Sequence, residues 1–204
     1  MIKQFLLSMF LLGAISTLSA QSVNDTQAAK TSLETARSEV RSQFGQATKG
    51  RAVLVKRMLD LGLWPEATEA IKAGKGLSAS EKAILWAEYH WLINDFKQAE
   101  KDVKLVLATD KNSVWAKRLK AVLAIEAWDL TNAEKQCKAL LASNPNDEAT
   151  SLVLGRALLL QKKYPEALTV AKQLQQKNPK LAGAYLLEAN VFFWDQHPEQ
   201  AEAP

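Results

Sequence analysis

The chain is predicted to be all-α, an array of stacked antiparallel helix pairs, and three regularities predict it. Alanines recur at 67, 99, 133, 167 and 201, at spacings of 32, 34, 34 and 34 residues. Twelve residues before each of the last four stands another small residue: Ala87, Ala121, Gly155 and Ala189. The segment Pro145 to Pro179 shows the unit whole, with a turn at Asn144-Pro145-Asn146-Asp147, apolar-rich segments from Glu148 to Gln161 and from Tyr164 to Lys177, and the turn again at Asn178-Pro179. One hairpin cannot bury its own apolar face, so neighbouring copies must stack to make a core. Small residues facing each other let paired helices approach closely. The first copy carries Val55 at the earlier small position and is less regular.

In chain order, residues 1 to 20 read as a targeting segment. Lys3 gives the positive region, Phe5 to Ile15 the apolar region, and Ser16 to Ala20 a small-residue stretch with cleavage expected after Ala20. The apolar run is about half of the ~20 residues a spanning helix needs, so no transmembrane segment is expected in the mature chain. The expected location is outside the cytoplasm: periplasmic in a Gram-negative bacterium, otherwise secreted. Residues 21–30 are polar and aperiodic, a flexible lead-in. Thr31-Ser32-Leu33-Glu34 then offers a capping box, and Leu33, Ala36, Val40 and Phe44 mark an extra helix over 31–45. Repeats follow at 50–78, 79–112, 113–146 and 147–180, with a partial one at 181–204, so that 31–204 forms one helical domain.

With 204 residues, 48% apolar and 24% charged, the composition is that of a folded domain with a sizeable core. The formal charge of +4 is spread over helix surfaces as Lys101, Lys104, Lys117, Arg118 and Lys120, without the dense tract of a nucleic-acid site, so no nucleic-acid partner is expected. Cys137 is the single cysteine, which excludes an internal disulfide. It falls on the apolar stripe of its helix, as a buried small hydrophobe.

Within the Pro145 frame the second helix has one apolar stripe, Ala167, Leu168, Val170, Ala171 and Leu174, and one wet face. The first is apolar nearly all round, through Leu152, Val153, Leu154, Ala157, Leu158, Leu159 and Leu160. It must therefore lie between neighbours or keep one apolar face open.

These residues resemble the tetratricopeptide repeat, a 34-residue helix-turn-helix with small residues at its eighth and twentieth positions and proline near its end. The matches are Leu154-Gly155, Ala167 and Pro179, with Tyr164-Pro165-Glu166-Ala167 opening the second helix. Trp64-Pro65-Glu66-Ala67 repeats that opening, and His197-Pro198-Glu199-Gln200-Ala201 repeats it with one residue of slippage. Lys111 departs from the pattern where proline is usual, as do Ala124 and Leu158 where an aromatic is usual, and the first inter-repeat loop is two residues short. The resemblance implies a right-handed superhelical solenoid of about four to five repeats, the last incomplete. It also implies an inner groove, lined by first helices, that binds a protein or peptide partner. Carried over, the groove positions are Ile84, Glu88, Trp91 and Leu92; Trp115, Arg118, Val122 and Ile125; Leu152, Arg156 and Leu159; and Leu186, Asn190, Phe193 and Trp194. Large aromatics beside an occasional arginine are residue types that anchor protein interfaces.

No catalytic residues, metal ligands or cofactor are expected. His90 and His197 have no second histidine or carboxylate at ligand spacing, and Asp95, Glu100 and Asp102 read as helix-end and solvent-face carboxylates. No phosphate-binding glycine loop or nucleophile motif is present. The function expected is a non-catalytic scaffold in cell-envelope assembly. The alternative is the accessory module of a larger enzyme such as an envelope protease. Self-association through the C-terminal edge is a further expectation.

Overall fold

Ten α-helices make up the secondary structure of the described residues, 23–195, of the computed structural model. They are α1 Val23–Gln46, α2 Arg51–Asp60, α3 Trp64–Ala73, α4 Ala79–Leu92, α5 Phe96–Thr109, α6 Val114–Glu126, α7 Leu130–Ser143, α8 Glu148–Leu160, α9 Tyr164–Lys177 and α10 Ala182–Trp194. The targeting segment and the His197 to Ala201 motif lie outside the described residues.

Local chemistry explains the helix starts. Ser78 and Glu81 form a reciprocal capping box on α4, and Asp95, Ser113 and Asp147 accept from backbone N–H groups that would otherwise lack partners at the starts of α5, α6 and α8. Pro65 and Pro165 occupy the first turns of α3 and α9, where the missing N–H costs nothing.

The helix ends repeat as regularly as the alanines. Gly62, Asn94, Trp128 and Lys162 all have φ between 61° and 73°, and their spacings of 32, 34 and 34 match those of the alanines. Behind them the N–H groups of Leu63, Asp95, Asp129 and Lys163 reach back to the carbonyls of Met58, His90, Ala124 and Leu158. This is the Schellman closure, which satisfies carbonyls that a helix end leaves open. The second helices α5, α7 and α9 close differently: Asp110, Asn144 and Asn178 all turn out to φ of −130° to −143° with ψ near 84–88°, whereas α3 ends on a left-handed Gly74. Proline at 145 and 179 favours that extended geometry in the residue before it. Asp110 adopts it before Lys111, so the loss of proline there leaves the turn intact.

The helices group into two compact units, dividing after Lys111. In the first, α1 packs on α2, α2 on α3 and α4, α3 on α4, and α4 on α5. In the second, α6 pairs with α7 and α8 with α9; each second helix also packs on the next first helix, and α6, α8 and α10 meet in succession. Contact with four other helices explains why α8 is apolar nearly all round, and it buries Thr150, Leu154, Gly155, Ala157, Leu158 and Leu159. The more amphipathic α9 buries only Ala167, Ala171 and Leu174.

The small-residue frame is core. Ala67, Ala99, Ala133 and Ala167 are fully buried, as are Ala87 and Ala121. At Gly155 the close neighbour is Leu187 of the following first helix: a Cβ there would collide with its Cδ2. Smallness at this position therefore admits the next repeat, in addition to any partner within its own hairpin.

The N-terminal region differs from expectation. Helix α1 already includes residues 23–30, so that stretch is helix where a flexible lead-in was expected, and Thr31 lies inside the helix, with its carbonyl accepting from Thr35 Oγ1 at 2.9 Å. No Gly or Pro interrupts 21–30, and Gln27, Ala28, Ala29 and Lys30 are good helix formers. A search for apolar periodicity passes over such a segment. Val40 is fully buried, Arg37 Nε donates to the Leu61 carbonyl at the end of α2, and Arg41 pairs with Glu66 of α3 at 2.7 Å.

Candidate functional site

In the second unit, a 34-residue step carries Val122 of α6 to Arg156 of α8 and Asn190 of α10, all half-buried. These three define the face of the first helices to which the groove expectation refers. Trp115 is also half-buried, nearer the start of α6. At the far end Trp194 and Phe193 of α10 are exposed and meet edge to face, with ring centroids 5.8 Å apart.

The two arginines of this face are engaged in holding the helices together. Arg118 donates from Nε to Thr150 Oγ1 at 3.1 Å and from Nη2 to Asp147 Oδ2 at 3.2 Å, tying α6 to the start of α8. Asp147 also accepts from the Thr150 N–H and hydroxyl, so one carboxylate caps α8 and receives the arginine. Burial pushes the Asp147 pKa upward, but the two Thr150 bonds and the Arg118 charge together outweigh it and hold the pKa below the usual range. Arg156 Nη2 returns the link, pairing with Glu126 Oε1 of α6 at 3.2 Å with side chains only 14% and 3% exposed. Asn190 Nδ2 donates to the Leu186 carbonyl of its own helix.

Ile125 and Leu159, both assigned to the groove, are buried. Ile125 clusters with Leu130, Ala133 and Ala157, inside the contact between α6, α7 and α8. The reason is rotational: positions 125 and 159 point toward the next repeat, about 60° around the helix from 122 and 156 at 100° per residue. In the first unit Trp91 and Leu92 are half-buried, while Ile84 and Glu88 are buried. Glu88 lies 3.8 Å from Lys56 of α2. Tyr185, which the groove assignment omitted, is 41% exposed on α10.

His90 does have a carboxylate partner. Its Nδ1 lies 2.6 Å from Asp102 Oδ2 across the α4–α5 hairpin, Gln98 Nε2 donates to the other Asp102 oxygen at 3.0 Å, and Trp86 stacks on the imidazole. Asp102 is thus an interhelix partner, where sequence placed it on a solvent face. The twelve-residue separation joins facing positions of two antiparallel helices, which ligand-spacing rules within one helix do not examine. Cys137 is fully buried, and burial raises its thiol to about 12, which leaves it protonated and unreactive at neutral pH. Among the described residues no group of three or more His, Cys, Asp or Glu side chains could hold a metal ion, and no helix is long and apolar enough to cross a membrane.

No protein-family model matches the chain, and no curated protein does. Among solved structures it is similar to a tetratricopeptide repeat protein from Parabacteroides merdae, with a TM-score of 0.60 and 18% identity over 98% of this chain and 84% of that one. At that identity the likeness speaks for the fold, and together with the 34-residue turns it establishes a tetratricopeptide-like array of helix pairs.

Proposed function

We propose that the chain is an exported, non-catalytic scaffold that grips a protein or peptide partner on the face of its first helices. The observation that carries this reading is the state of the face marked by Val122, Arg156 and Asn190. Its charges are engaged between helices, while apolar groups such as Trp115 and Val122 remain partly open. A surface of that kind favours apolar anchoring over recognition of a charged terminus. Export rests on the character of residues 1–20, and a place in envelope assembly rests on the resemblance of the repeats.

The expected result is that the protein isolated from its host begins at Gln21 and brings with it a foreign polypeptide in constant ratio. Val122→Asp should release that polypeptide and leave helical content unchanged. A chain that retains residues 1–20, or a partner held equally by wild type and variant, would contradict the corresponding half of the proposal.

A further inference from the structure

The chain's own repeat marks a space beside the turn that leads into α8. Thirty-four residues after Ser151 stands Tyr185, and its hydroxyl donates to the Pro179 carbonyl at 3.1 Å, so that a phenol ring closes the turn between α9 and α10. Ser151 has no ring to offer at the turn between α7 and α8, and its hydroxyl stays on its own helix, donating to the Asp147 carbonyl at 3.0 Å. A cavity of about 160 Å³ opens there between α7, α8 and α9, with both Ser151 and Pro145 in its lining. Its aliphatic walls are Leu141 of α7, Leu154 of α8, and Val170 and Leu174 of α9. One repeat on, Leu141 and Leu154 become Gln175 and Glu188, which hydrogen-bond to each other at 2.6 Å. The turn at Pro179 is thus closed by the chain's own polar side chains and phenol, whereas the turn at Pro145 keeps an apolar recess. Lys177, exposed in the last turn of α9, also lines it. Its ammonium donates to the Pro145 carbonyl at 3.4 Å and to Asn146 Oδ1 at 3.1 Å. Both acceptors are uncharged, and they engage two of its three N–H donors.

We infer that this recess is a binding site for a small aromatic carboxylate: a benzene ring between the leucines, with a carboxylate one or two bonds away on the Lys177 ammonium. The ring follows from the volume, since a cavity of about 150 Å³ takes up benzene, and from the internal template, since the next repeat sets a phenol over the corresponding turn. The charge follows from Lys177, because an anion brings a charge-assisted hydrogen bond that Pro145 and Asn146 cannot supply. Apolar walls with one cation at the rim fix the ligand's orientation as well as its class. A ligand of about ten non-hydrogen atoms in an open recess is held weakly, in about the millimolar range. The site shares no residue with the face marked by Val122, Arg156 and Asn190, so this inference does not depend on the scaffold function proposed above.

Phenylacetate titrated into the isotopically labelled, purified protein tests it by nuclear magnetic resonance. The amide signals of Ser151, Leu154 and Leu174 should shift and saturate in about the millimolar range, and acetate at the same concentrations should leave them unmoved. Ser151→Tyr supplies from within the ring that the next repeat already has, so it should abolish the shifts with helical circular dichroism unchanged. Lys177→Met, at an exposed position, should weaken phenylacetate several-fold and leave the uncharged benzyl alcohol bound as in wild type. Absence of saturable shifts in wild type overturns the inference, and so do equal shifts from acetate. Shifts that survive in a folded Ser151→Tyr variant, or phenylacetate bound equally by wild type and Lys177→Met, overturn it as well.

Discussion

Three sites show how positions of this fold are set by what lies across from them. Gly155 is small because Leu187 of the next first helix occupies its Cβ space. Gly155→Leu should therefore destabilise the second unit by roughly 1–3 kcal/mol through overpacking, read as an earlier denaturant midpoint; unchanged unfolding would mean that α8 and α10 are not packed as described. The Glu126–Arg156 pair is an enclosed ion pair between repeats. Replacing Arg156 with Leu leaves a carboxylate in a site only 3% exposed, at a cost of about 3 kcal/mol or more, whereas Glu126→Leu with Arg156→Met should recover most of the loss. Equal losses in the single and double variants would remove the pair from the account. Glu134 of α7 is held down to about 2, first by Lys138 and then by Lys163 and Gln161. Its folded value lies below its ordinary value of 4.5, so its stabilisation is complete above pH 4.5 and is lost as pH falls toward 2. After allowance for solvent this amounts to about 1–2 kcal/mol. Lys163→Met should flatten the acid limb of the stability curve, and an unchanged limb would contradict the assignment.

At the scale of the element, the Schellman turns repeat more faithfully than the residues that form them. Gly62 suits a left-handed backbone, while Asn94, Trp128 and Lys162 adopt it with side chains, which costs non-glycine residues about 1 kcal/mol. Lys162→Gly should stabilise the α8–α9 hairpin by up to about 1 kcal/mol, seen as a higher melting temperature. A loss of stability would show that the aliphatic stem of Lys162 contributes more than its backbone strain costs. These turns also show what was legible in the sequence. Alanine spacing located every hairpin from α2 to α9, whereas the capping box expected at Thr31 to Glu34 falls inside α1. Four Schellman turns built on Gly, Asn, Trp and Lys carry no shared residue type, so their common geometry could not be read. Helix α1 escaped in its first turns because its polar residues favour helix without marking an apolar stripe.

At the scale of the molecule, the family resemblance placed the groove residues on the first helices, and the structure divides them by rotation into half-buried and buried positions. Val122, Arg156 and Asn190 remain half-buried there, whereas Ile125 and Leu159, three residues further on, turn into the next repeat. Arg118 and Arg156 looked like free groove charges because their partners, Asp147 and Glu126, are 29 and 30 residues away. A sequence scan cannot pair residues at that distance before the stacking is known. The same displacement separates the proposed binding surface from core, and it gives the scaffold reading its most direct test. A photo-crosslinking side chain placed at Val122 in living cells should capture one foreign polypeptide repeatedly, and the same group at Ile125 should capture none. Foreign adducts from Ile125 but not from Val122, or from neither position, would contradict the claim that this face of the first helices is where the protein binds.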